Sequence, residues 1–487
     1  MLTVFRTTLV LLAASLWLGG QVLAATPTQK LVLEKLQQLQ ESGVIAPGSV
    51  LRLQVKQGNR ASFTGTRQAL RREWEEATGV LLDIGLMPQG TVGNYLRKGT
   101  DADLLVARNH EYADLYHQEL IISLDEPLQA MGLELNADED FFLFEAQARF
   151  AGQTLAVPAD GDLLLLYLRQ DLLDDPQEKK AFRERFGYPL QAPKTWQQYQ
   201  DQLEFFHRPD DQLYGTVELR DPALAWMHWL PRYASQAFPN QPLFDDNLKP
   251  LVNSPAGIAA TQSYLATLPF SPEGIARPGS GYDLALPIFT QGEAYSLMIT
   301  LAGAKLFNRP GQPITERYSV HPLPGKEHPQ GLVRRTPLAF GNNLIIPASS
   351  PQPELALLYA LWVTSAEIST ATVSESGSFV DPFRYSHFQS PEIQAVYGQS
   401  ALAAMQTSLD LAVPAGTGTP GDDGYLLALN QALDKAARGE ITAEEAMQQV
   451  AEDWERITQK QGRASQRLYW QRHLKLYPEA SERGVHE

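Results

Sequence analysis

The stretch of sequence that decides the fold runs from Leu51 to Met87 and reads LRLQVKQGNRASFTGTRQALRREWEEATGVLLDIGLM. It opens with the alternating strand pattern of Leu51–Val55 and closes with a second apolar strand, Val80–Met87. Between them lies a helix that Gly79 ends. The apolar residues of this helix share one face: Leu70, Trp74 and Ala77. Strand, helix and strand within about 40 residues form a βαβ unit, which is typical of a parallel sheet.

The alternation of strands and helices continues downstream. Further apolar strands are predicted at Asp103–Val106, Leu163–Leu168, Tyr295–Ile299 and Leu344–Ile346. The C-terminal third is helical, with a capping box formed by Thr442 and Glu445. Leucines within residues 25–48 predict an additional N-terminal helix before the first strand. The sequence therefore predicts an α/β fold with parallel or mixed sheets flanked by helices and a helical C-terminal region.

Residues 1–24 have the features of a secretory signal peptide. Arg6 precedes the apolar run Leu9–Leu18, and the segment closes on Val22-Leu23-Ala24, a small-x-small cleavage pattern. Roughly ten apolar residues are too few to span a bilayer, which needs about 20, although a membrane anchor stays an alternative. The chain holds no cysteine, which excludes disulfides, thiol catalysis and a lipidated cysteine. These features predict a soluble protein of the periplasm that is not lipidated.

Composition narrows the functional classes. The chain of 487 residues is 44% hydrophobic and 20% charged, ordinary values for a globular protein. Its formal net charge of −16 disfavours binding to nucleic acid or to anionic lipid. Neither GxSxG nor the phosphate loop GxxxxGK[ST] occurs, and the nine histidines form no metal-ligand pair. We therefore expect no catalytic residues, no cofactor and no metal.

Several stretches, in this order along the chain, resemble the family 1 extracellular solute-binding proteins of ABC transporters, the group that contains maltose-binding protein. The resemblance covers the chain from about Leu51 to the C-terminus. It rests on Leu70–Gly79 (LRREWEEATG), Asp103–Ala107, Gly152–Asp171 (GQTLAVPADGDLLLLYLRQD), Pro193–Tyr199 (PKTWQQY), Phe289–Ile299 (FTQGEAYSLMI) and Gly331–Pro347. Each stretch alone is a weak signal, and their order over about 400 residues is a strong one.

The resemblance implies the two-lobed fold of type II periplasmic binding proteins, in which hinge segments let the lobes close on a ligand. By position, the first lobe would take residues 49–158 and about 300–339, and the second would take about 159–299 and 340–487. The chain would cross between the lobes near Ala156–Asp160, Met298–Ala302 and Ala339–Asn343. The implied ligand is a small polar solute such as a carbohydrate or polyol. The implied partners are ABC permease subunits in the inner membrane.

Two departures from the family pattern concern the ligand. Many sugar-binding relatives have a glycine-proline-tryptophan after the methionine strand, where this chain has Thr300–Gly303. They also often have a glycine-tryptophan before the last crossing, where this chain has Phe340–Asn342. Both absent tryptophans would be expected to stack on sugar rings. The departures leave the identity of the ligand open.

Candidate ligand-binding residues lie mostly on loops near predicted strand ends, where open α/β sheets bind ligands. Carboxylates would accept hydrogen bonds from hydroxyl groups, arginines would donate them, and an aromatic ring would cover an apolar face. The first lobe would supply Asn59, Arg60 and Arg108. The second lobe or its approaches would supply Asp160, Asp162, Glu218, Trp226, Trp229 and Tyr425, with Phe340 and Asn342 between the lobes.

Three of these features have alternative interpretations. Asp160 and Asp162 are either ligand-binding groups, an acid/base pair for glycoside hydrolysis, or plain polar residues at a strand start. Trp226 and Trp229 share a helix face, which fits core packing as well as stacking on a ligand. The string Gly416–Gly421 fits the dinucleotide fingerprint, but no strand is predicted before it, so a plain loop is favoured.

Two other functions stay open at this stage. One is a periplasmic enzyme that processes saccharides, and the other is a binding protein that reports to a membrane sensor. Binding without turnover separates the receptor from the enzyme.

Overall fold

The computed structural model of the protein describes residues 27–88, 90–338 and 341–479. Within them the predicted βαβ unit forms, and its two strands pair in parallel with Val50 opposite Leu81. Gly79 ends the intervening helix in the left-handed conformation, with φ of 68°, which a glycine adopts without strain. Residues 1–24, predicted to be a signal peptide, lie outside the described residues.

The described residues form fourteen strands. In chain order they are β1 (Val50–Val55), β2 (Leu81–Leu86), β3 (Leu104–Arg108), β4 (Arg149–Phe150), β5 (Gln153–Thr154), β6 (Leu165–Arg169), β7 (Tyr214–Thr216), β8 (Ala294–Ile299), β9 (Tyr318–His321), β10 (Gly325–His328), β11 (Gly331–Arg334), β12 (Thr336–Leu338), β13 (Asn342–Ile345) and β14 (Ala412–Pro414).

The same residues form twenty-one α-helices. They are α1 (Gln29–Glu41), α2 (Arg60–Thr64), α3 (Ala69–Thr78), α4 (Val92–Arg97), α5 (Tyr112–His117), α6 (Asp125–Met131), α7 (Phe144–Ala148), α8 (Gln170–Asp174), α9 (Pro176–Phe186), α10 (Trp196–Phe206), α11 (Ala225–Ala234), α12 (Pro255–Ala266), α13 (Gly281–Gln291), α14 (Ala302–Phe307), α15 (Pro353–Thr364), α16 (Ala366–Ser374), α17 (Pro391–Tyr397), α18 (Gln399–Leu409), α19 (Asp422–Ala437), α20 (Ala443–Gln461) and α21 (Arg463–His473). The predicted capping box of Thr442 and Glu445 opens α20.

Two four-stranded mixed sheets define the two lobes. The first sheet has the order β13-β3-β1-β2, with β13 antiparallel to β3 and the other pairs parallel. The second has the order β7-β8-β6-β9, in which only β7 and β8 are parallel. The first lobe is built on the first sheet and the second lobe on the second. The protein therefore has the predicted α/β class, with both sheets flanked by helices.

Strand β6 shows why the apolar run Leu163–Leu168 is continuous rather than alternating. Leu163, Leu165 and Tyr167 pack into one apolar core, while the residues between them pack into a second core together with α19 and α20. Successive side chains of a strand point to opposite faces. A strand covered on both faces therefore needs apolar residues at every position.

Two strands pair in the opposite sheet from the one predicted, so the predicted division of the lobes is corrected there. Strand β9 falls within residues 300–339, predicted in the first lobe, but pairs with β6 of the second sheet. Strand β13 falls within residues 340–487, predicted in the second lobe, but pairs with β3 of the first. The segment Met298–Ala302 therefore leads from β8 through α14 back to the same sheet. Short strands carry no local signal for their partner, which tertiary packing selects.

Two neighbouring segments connect the sheets. Val157 forms a bridge with Leu344 of β13, and Leu163 forms a bridge with Leu338 of β12. The segment 157–163 therefore lies antiparallel beside strands β12 and β13, at the place where the sequence predicts crossings near Ala156–Asp160 and Ala339–Asn343. Flexing at such a pair moves the lobes as rigid bodies.

Helix α15 is almost entirely buried, and the N-terminal helix helps to cover it. All residues from Leu355 to Thr364 are buried, and α1 packs across α15 through the buried Val32 and Leu36. Within the described ranges, no single helix is long and apolar enough to cross a membrane. Helices α15 and α16 reach that length only together, across a bend of 69°.

The loop Gly416–Gly421 is filled by the protein's own side chains. A short strand, β14, precedes it, contrary to the sequence expectation, and α19 follows it. A Cβ atom at Gly416 would collide with the Asp422 carboxylate, and one at Gly418 would collide with the His473 ring. The side chains that occupy the concave side of this turn leave no cradle for a pyrophosphate, so the loop is structural.

Candidate ligand-binding cleft

A buried aspartate joins the two segments that connect the lobes. Asn342 Nδ2 donates to Asp160 Oδ2 at 2.7 Å, and the Asp381 backbone N–H donates to Asp160 Oδ1 at 2.8 Å. The neighbouring Asn343 accepts the Ala159 N–H at 3.3 Å. Both carboxylate oxygens of Asp160 are thus occupied, and this residue fixes the connecting segments to each other.

The carboxyl edge of the first sheet forms one wall of the cleft. Glu111 organises it, because its side chain accepts the backbone N–H of Arg108 at 2.9 Å and forms an ion pair with Lys56 at 3.2 Å. Burial acts to raise the pKa of Glu111, but Lys56, His110 and Arg108 lower it to about 2. The ionised glutamate therefore holds the loops after β1 and β3 together and positions Arg108 and His110.

Asn59 lies in the loop after β1, at the start of α2. Its side chain makes no capping hydrogen bond to the helix and is buried, whereas the neighbouring Arg60 is exposed. Gly58 has φ of 94° and packs directly against Phe379, since a Cβ there would lie 2.8 Å from the ring. The loop therefore brings Asn59 and Phe379 to the same part of the first lobe and leaves Arg60 outside.

The second lobe contributes aromatic side chains from α11 and α13. The Trp226 ring lies 5.9 Å from the His110 ring, edge to face. The Tyr282 ring lies 6.4 Å from that of Phe379. Burial, followed by the charge of Asp162, raises the pKa of Tyr282, so this phenol faces the connecting segments. Each contact joins a residue of the second lobe to one near the first sheet, and the exposed Phe379 places its contact at the rim of the space between the lobes.

Four side chains around this space carry a buried polar atom that has no hydrogen-bond partner among the described residues. These atoms are Asn59 Nδ2, His110 Nδ1, Asp162 Oδ1 and Asn342 Oδ1. The four residues are between 4% and 8% exposed. Buried polar atoms in proteins are nearly always hydrogen-bonded. Other such atoms lie in the cores of the lobes, for example both ring nitrogens of His228. These four lie on both walls and on the connecting segments, which makes them candidates for contact with a polar ligand.

Burial controls the charge of this surface. It lowers the pKa of His110 to about 3, so the imidazole is neutral at neutral pH. It also raises the pKa of Asp162 well above its usual value, with Asp160 and Asp381 adding to the effect. Asn59, Asn342 and the neutral imidazole of His110 thus carry no charge, and the pKa shift of Asp162 favours the protonated form of this carboxyl group.

Glu218, predicted to bind ligand, lies in the core of the second lobe instead. It is fully buried and forms ion pairs of 2.9 Å with both Arg220 and Arg232. Burial acts to raise its pKa, but the two arginines lower it well below the usual value. Its charge is neutralised inside the lobe, so the prediction for this residue is corrected.

Two predicted aromatic contacts are corrected as well. Trp229 is fully buried, stacks on Tyr233 at 4.5 Å and donates its Nε1–H to Thr261 Oγ1 at 2.8 Å. Tyr425 is fully buried among the C-terminal helices, where its hydroxyl bonds to Thr458. Helical spacing indicates which residues share a face, but not whether that face meets a lobe's core or the cleft.

Sequence reasoning missed four residues of the cleft: His110, Tyr282, Phe379 and Asp381. His110 had a signal, since it lies two residues after the end of β3, next to the predicted Arg108. The other three lie far along the chain in segments without any motif, and only the tertiary structure brings them here. Phe340, predicted to lie between the lobes, is outside the described residues.

The geometry does not favour the acid/base interpretation of Asp160 and Asp162. Both oxygens of Asp160 accept hydrogen bonds from the protein and hold the connecting segments together, a structural role that differs from that of a carboxylate flanking a scissile bond. Within residues 27–88, 90–338 and 341–479, no group of three or more histidine, aspartate or glutamate side chains could hold a metal ion.

Comparison with known families agrees with this arrangement. The profile of the bacterial extracellular solute-binding proteins matches residues 62–369. No sequence of a curated protein matches the chain.

Solved structures with a similar fold include three binding proteins in complex with carbohydrates or polyols. The ABC transporter solute-binding protein of Agrobacterium radiobacter in complex with ribitol has a TM-score of 0.67 and 20% identity, over 84% of this chain and 99% of that one. Maltose-bound MalE3 of T. maritima has a TM-score of 0.68 and 19% identity, over 84% and 99%. The α-D-tagatose-bound protein of Thermotoga lettingae has a TM-score of 0.67 and 19% identity, over 84% and 100%. At such low identity the likeness shows the fold alone.

Proposed function

The chain belongs to the bacterial extracellular solute-binding proteins, and we propose that it captures a small neutral polar solute, a carbohydrate or polyol, in the cleft between its lobes. It would deliver this solute to the permease subunits of an ABC importer, without turning it over.

The observation that carries the proposal is the set of four buried polar groups of Asn59, His110, Asp162 and Asn342, of which three are neutral and the fourth is a carboxyl group whose pKa is raised by burial. Donors and acceptors without a formal charge suit hydroxyl groups, which both donate and accept. Trp226 and Tyr282 add aromatic rings that can cover the C–H face of a sugar or polyol. The ribitol, maltose and tagatose held by proteins of the same fold support this ligand class.

Contributions from both walls explain how the solute would drive closure. Asn59 and His110 belong to the first lobe, Trp226 and Tyr282 to the second, and Asp162 and Asn342 to the segments between them. A ligand that touches all of them makes its full set of contacts only when the lobes are together, and so favours the closed state. Saturation with solute should therefore lower the radius of gyration measured by small-angle scattering.

The test is a thermal-shift screen of matched solutes: neutral sugars and polyols against the corresponding sugar acids and amino sugars. We expect a neutral member to raise the melting temperature and the charged analogues to have smaller effects. Titration calorimetry should then give one site per chain, and incubation should leave the solute chemically unchanged.

Paired variants locate the site. Asn59→Ala should abolish the shift, whereas Asn253→Ala, at an exposed position of the second lobe, should keep it. A shift with charged solutes only, or one that Asn59→Ala leaves intact, would contradict the proposal, and conversion of the solute would establish an enzyme instead.

Export rests on the N-terminal segment. The proposed signal peptide, Met1–Ala24, would direct the chain to the periplasm, and cleavage after Ala24 would leave Ala25 as the first residue. Intact mass spectrometry of the periplasmic fraction tests this, since a chain that retains residues 1–24 there is incompatible with cleavage.

A further inference from the structure

Three aspartates meet where the connecting segments pass between the lobes. Asp160, Asp162 and Asp381 are each less than 5% exposed. The Asp162 side chain is within hydrogen-bonding reach of the other two carboxyl groups. Like charges this close, away from water, cannot all be ionised, so such a group retains a proton.

The hydrogen bonds show which aspartate has room for that proton. Asp160 uses one oxygen for Asn342 and the other for a backbone N–H. Asp381 uses one for the Ala302 N–H at 3.0 Å and the other for the Tyr397 hydroxyl at 3.0 Å. Asp162 receives no such backbone donor, and its Oδ1 has no partner among the described residues. The proton therefore belongs on Asp162, where it can bond to a neighbouring carboxylate.

The nearest cation does not replace the proton. The Lys305 ammonium lies close enough to favour ionisation of Asp381, but its hydrogen bonds go to the carbonyls of Val373 and Val380, at 2.9 and 2.7 Å. The other titratable groups that face the aspartates or Lys305 are Tyr167, Tyr282, Glu375 and Tyr397. Arg108 acts on Tyr282 and on the ionised Glu111. Burial raises the pKa of the three tyrosines, so they stay neutral and add no positive charge.

We propose that Asp160, Asp162 and Asp381 form a proton-binding site and that closure of the lobes takes up the proton. Separation of the lobes would admit water to Asp162, on the cleft surface, and solvation would let it ionise. Protons and solute would then favour the same closed state, and each would strengthen the binding of the other. That last consequence rests on the proposed function, whereas the proton site does not.

The direction of the pH dependence follows from the carboxyl groups. The three interacting carboxyl groups titrate together: burial, followed by the charge of Asp381, raises the pKa of Asp160 to about 7, and burial, followed by the charge of Asp160, raises that of Asp162 well above its usual value. A carboxyl group whose pKa is raised by folding contributes stability at low pH that is lost as the pH rises through the folded-state pKa. This window lies between about pH 4 and about pH 7. Most other buried carboxylates, such as Glu111, are already fully ionised there.

The first test compares wild type with Asp162→Asn, which keeps a neutral side chain of the same shape at every pH. From about pH 5.5 to about pH 8.5, the wild-type melting temperature should fall relative to that of the variant, by on the order of 2 °C. Asp140→Asn is the matched control. Asp140 pairs with Arg384 at 3.0 Å, and its pKa is lowered by the hydrogen bonds of Ser386 and by Arg384 in spite of burial. The difference in melting temperature between Asp140→Asn and wild type should stay constant over this pH range. Equal pH dependence of wild type and Asp162→Asn would overturn the proposal.

The second test needs no variant at Asp162, should that one fail to fold. Infrared spectroscopy of the protein at about pH 6 should show the carbonyl stretch of a buried carboxylic acid that is lost by about pH 8.5. Burial also raises the pKa of Asp422 and of Asp423, the latter to about 6. Both would give acid bands of their own, so the measurement is made in an Asp422→Asn, Asp423→Asn background. The absence of a titrating acid band would overturn the proton site.

Small-angle scattering tests the link to closure. The radius of gyration of wild type without solute should rise between the same two pH values and that of Asp162→Asn should not. A constant radius would overturn the coupling to closure. None of the three measurements uses a solute. Their failure would leave the solute-binding proposal standing, and a failed solute screen would leave the proton site standing.

Discussion

Two buried acidic sites of the described residues differ in their partners, one around Glu218 in the second lobe and one formed by Asp160, Asp162 and Asp381 between the lobes. In the first, one carboxylate meets two guanidinium groups, and each of these also packs over an aromatic ring: Arg220 over Tyr264 and Arg232 over Trp196. In the second, three carboxyl groups face one another, and the hydrogen bonds of the nearby Lys305 ammonium go to backbone carbonyls instead.

This difference separates a cluster with a purely structural role from one that can bind a proton or a hydrogen-bond donor. A buried carboxylate that cations neutralise has no capacity left, so it serves the packing of its lobe. Carboxyl groups that lack cations must take a proton or a donor from elsewhere. The balance of partners, rather than burial or residue type, therefore distinguishes the two.

Replacement of Glu218 gives the largest effect that the comparison predicts. Glu218→Gln removes the charge that neutralises two buried arginines, which typically costs about 3–5 kcal/mol. Urea unfolding should show this loss, while solute affinity measured below the transition stays unchanged. Glu273→Gln, in an exposed pair with Arg277, is the control and should change stability by less than about 0.5 kcal/mol. Weakened binding at wild-type stability would make Glu218 a ligand residue.

The two tryptophans of α11 extend the comparison to apolar contacts. Trp229→Ala should cost about 3–5 kcal/mol of stability, because it opens a cavity in the core of the second lobe. Trp226→Ala should cost less stability but weaken solute binding, since its ring lies against His110 of the opposite lobe. Denaturant unfolding and titration calorimetry of both variants measure the contrast. Equal loss of stability with normal affinity in both would place Trp226 in the core too.

Removal of the Asp162 side chain should act on binding. A buried hydrogen-bonding group of this kind contributes roughly 1.5–3 kcal/mol to an interaction, so Asp162→Ala should weaken solute binding by about 10- to 150-fold. Titration calorimetry with the solute found by the thermal-shift screen gives the number. Affinity equal to that of wild type would show that the aspartate cluster does not touch the solute.

The smallest effect is expected at the rim, where a carboxylate of the first lobe caps a helix of the C-terminal region. Asp114 accepts the Gly421 N–H at 2.7 Å and the Asp423 N–H at 3.4 Å, at the start of α19. Caps of this kind contribute about 0.5–2 kcal/mol, so Asp114→Ala should shift the population toward open lobes about twofold to thirtyfold. Scattering without solute should show a larger radius, and an unchanged radius would mean that this contact plays no part in closure.

The sequence by itself determined the helices and strands of this protein well, because the patterns that predict them involve residues close together in the chain. Alternation in Leu51–Val55, the helical face that includes Trp74, the left-handed Gly79 and the capping box at Thr442 all depend on residues within one turn or strand of each other. The fully apolar run of β6 also indicated a strand buried on both faces. From such elements the α/β class follows.

Only the tertiary structure decided which strands pair and which charged side chains meet when they are far apart in the sequence. Nothing in Tyr318–His321 or Asn342–Ile345 indicates which sheet each strand joins. That choice depends on how the elements around each strand pack in the folded protein. Glu218 and Asp162 look alike in sequence, because both are carboxylates near strand ends. The first becomes structural through Arg232, fourteen residues away, and the second faces Asp381, more than two hundred residues away. The charge balance of a buried site depends on all the charged groups that folding brings next to it. Many of these are distant in sequence, so no local pattern predicts the balance.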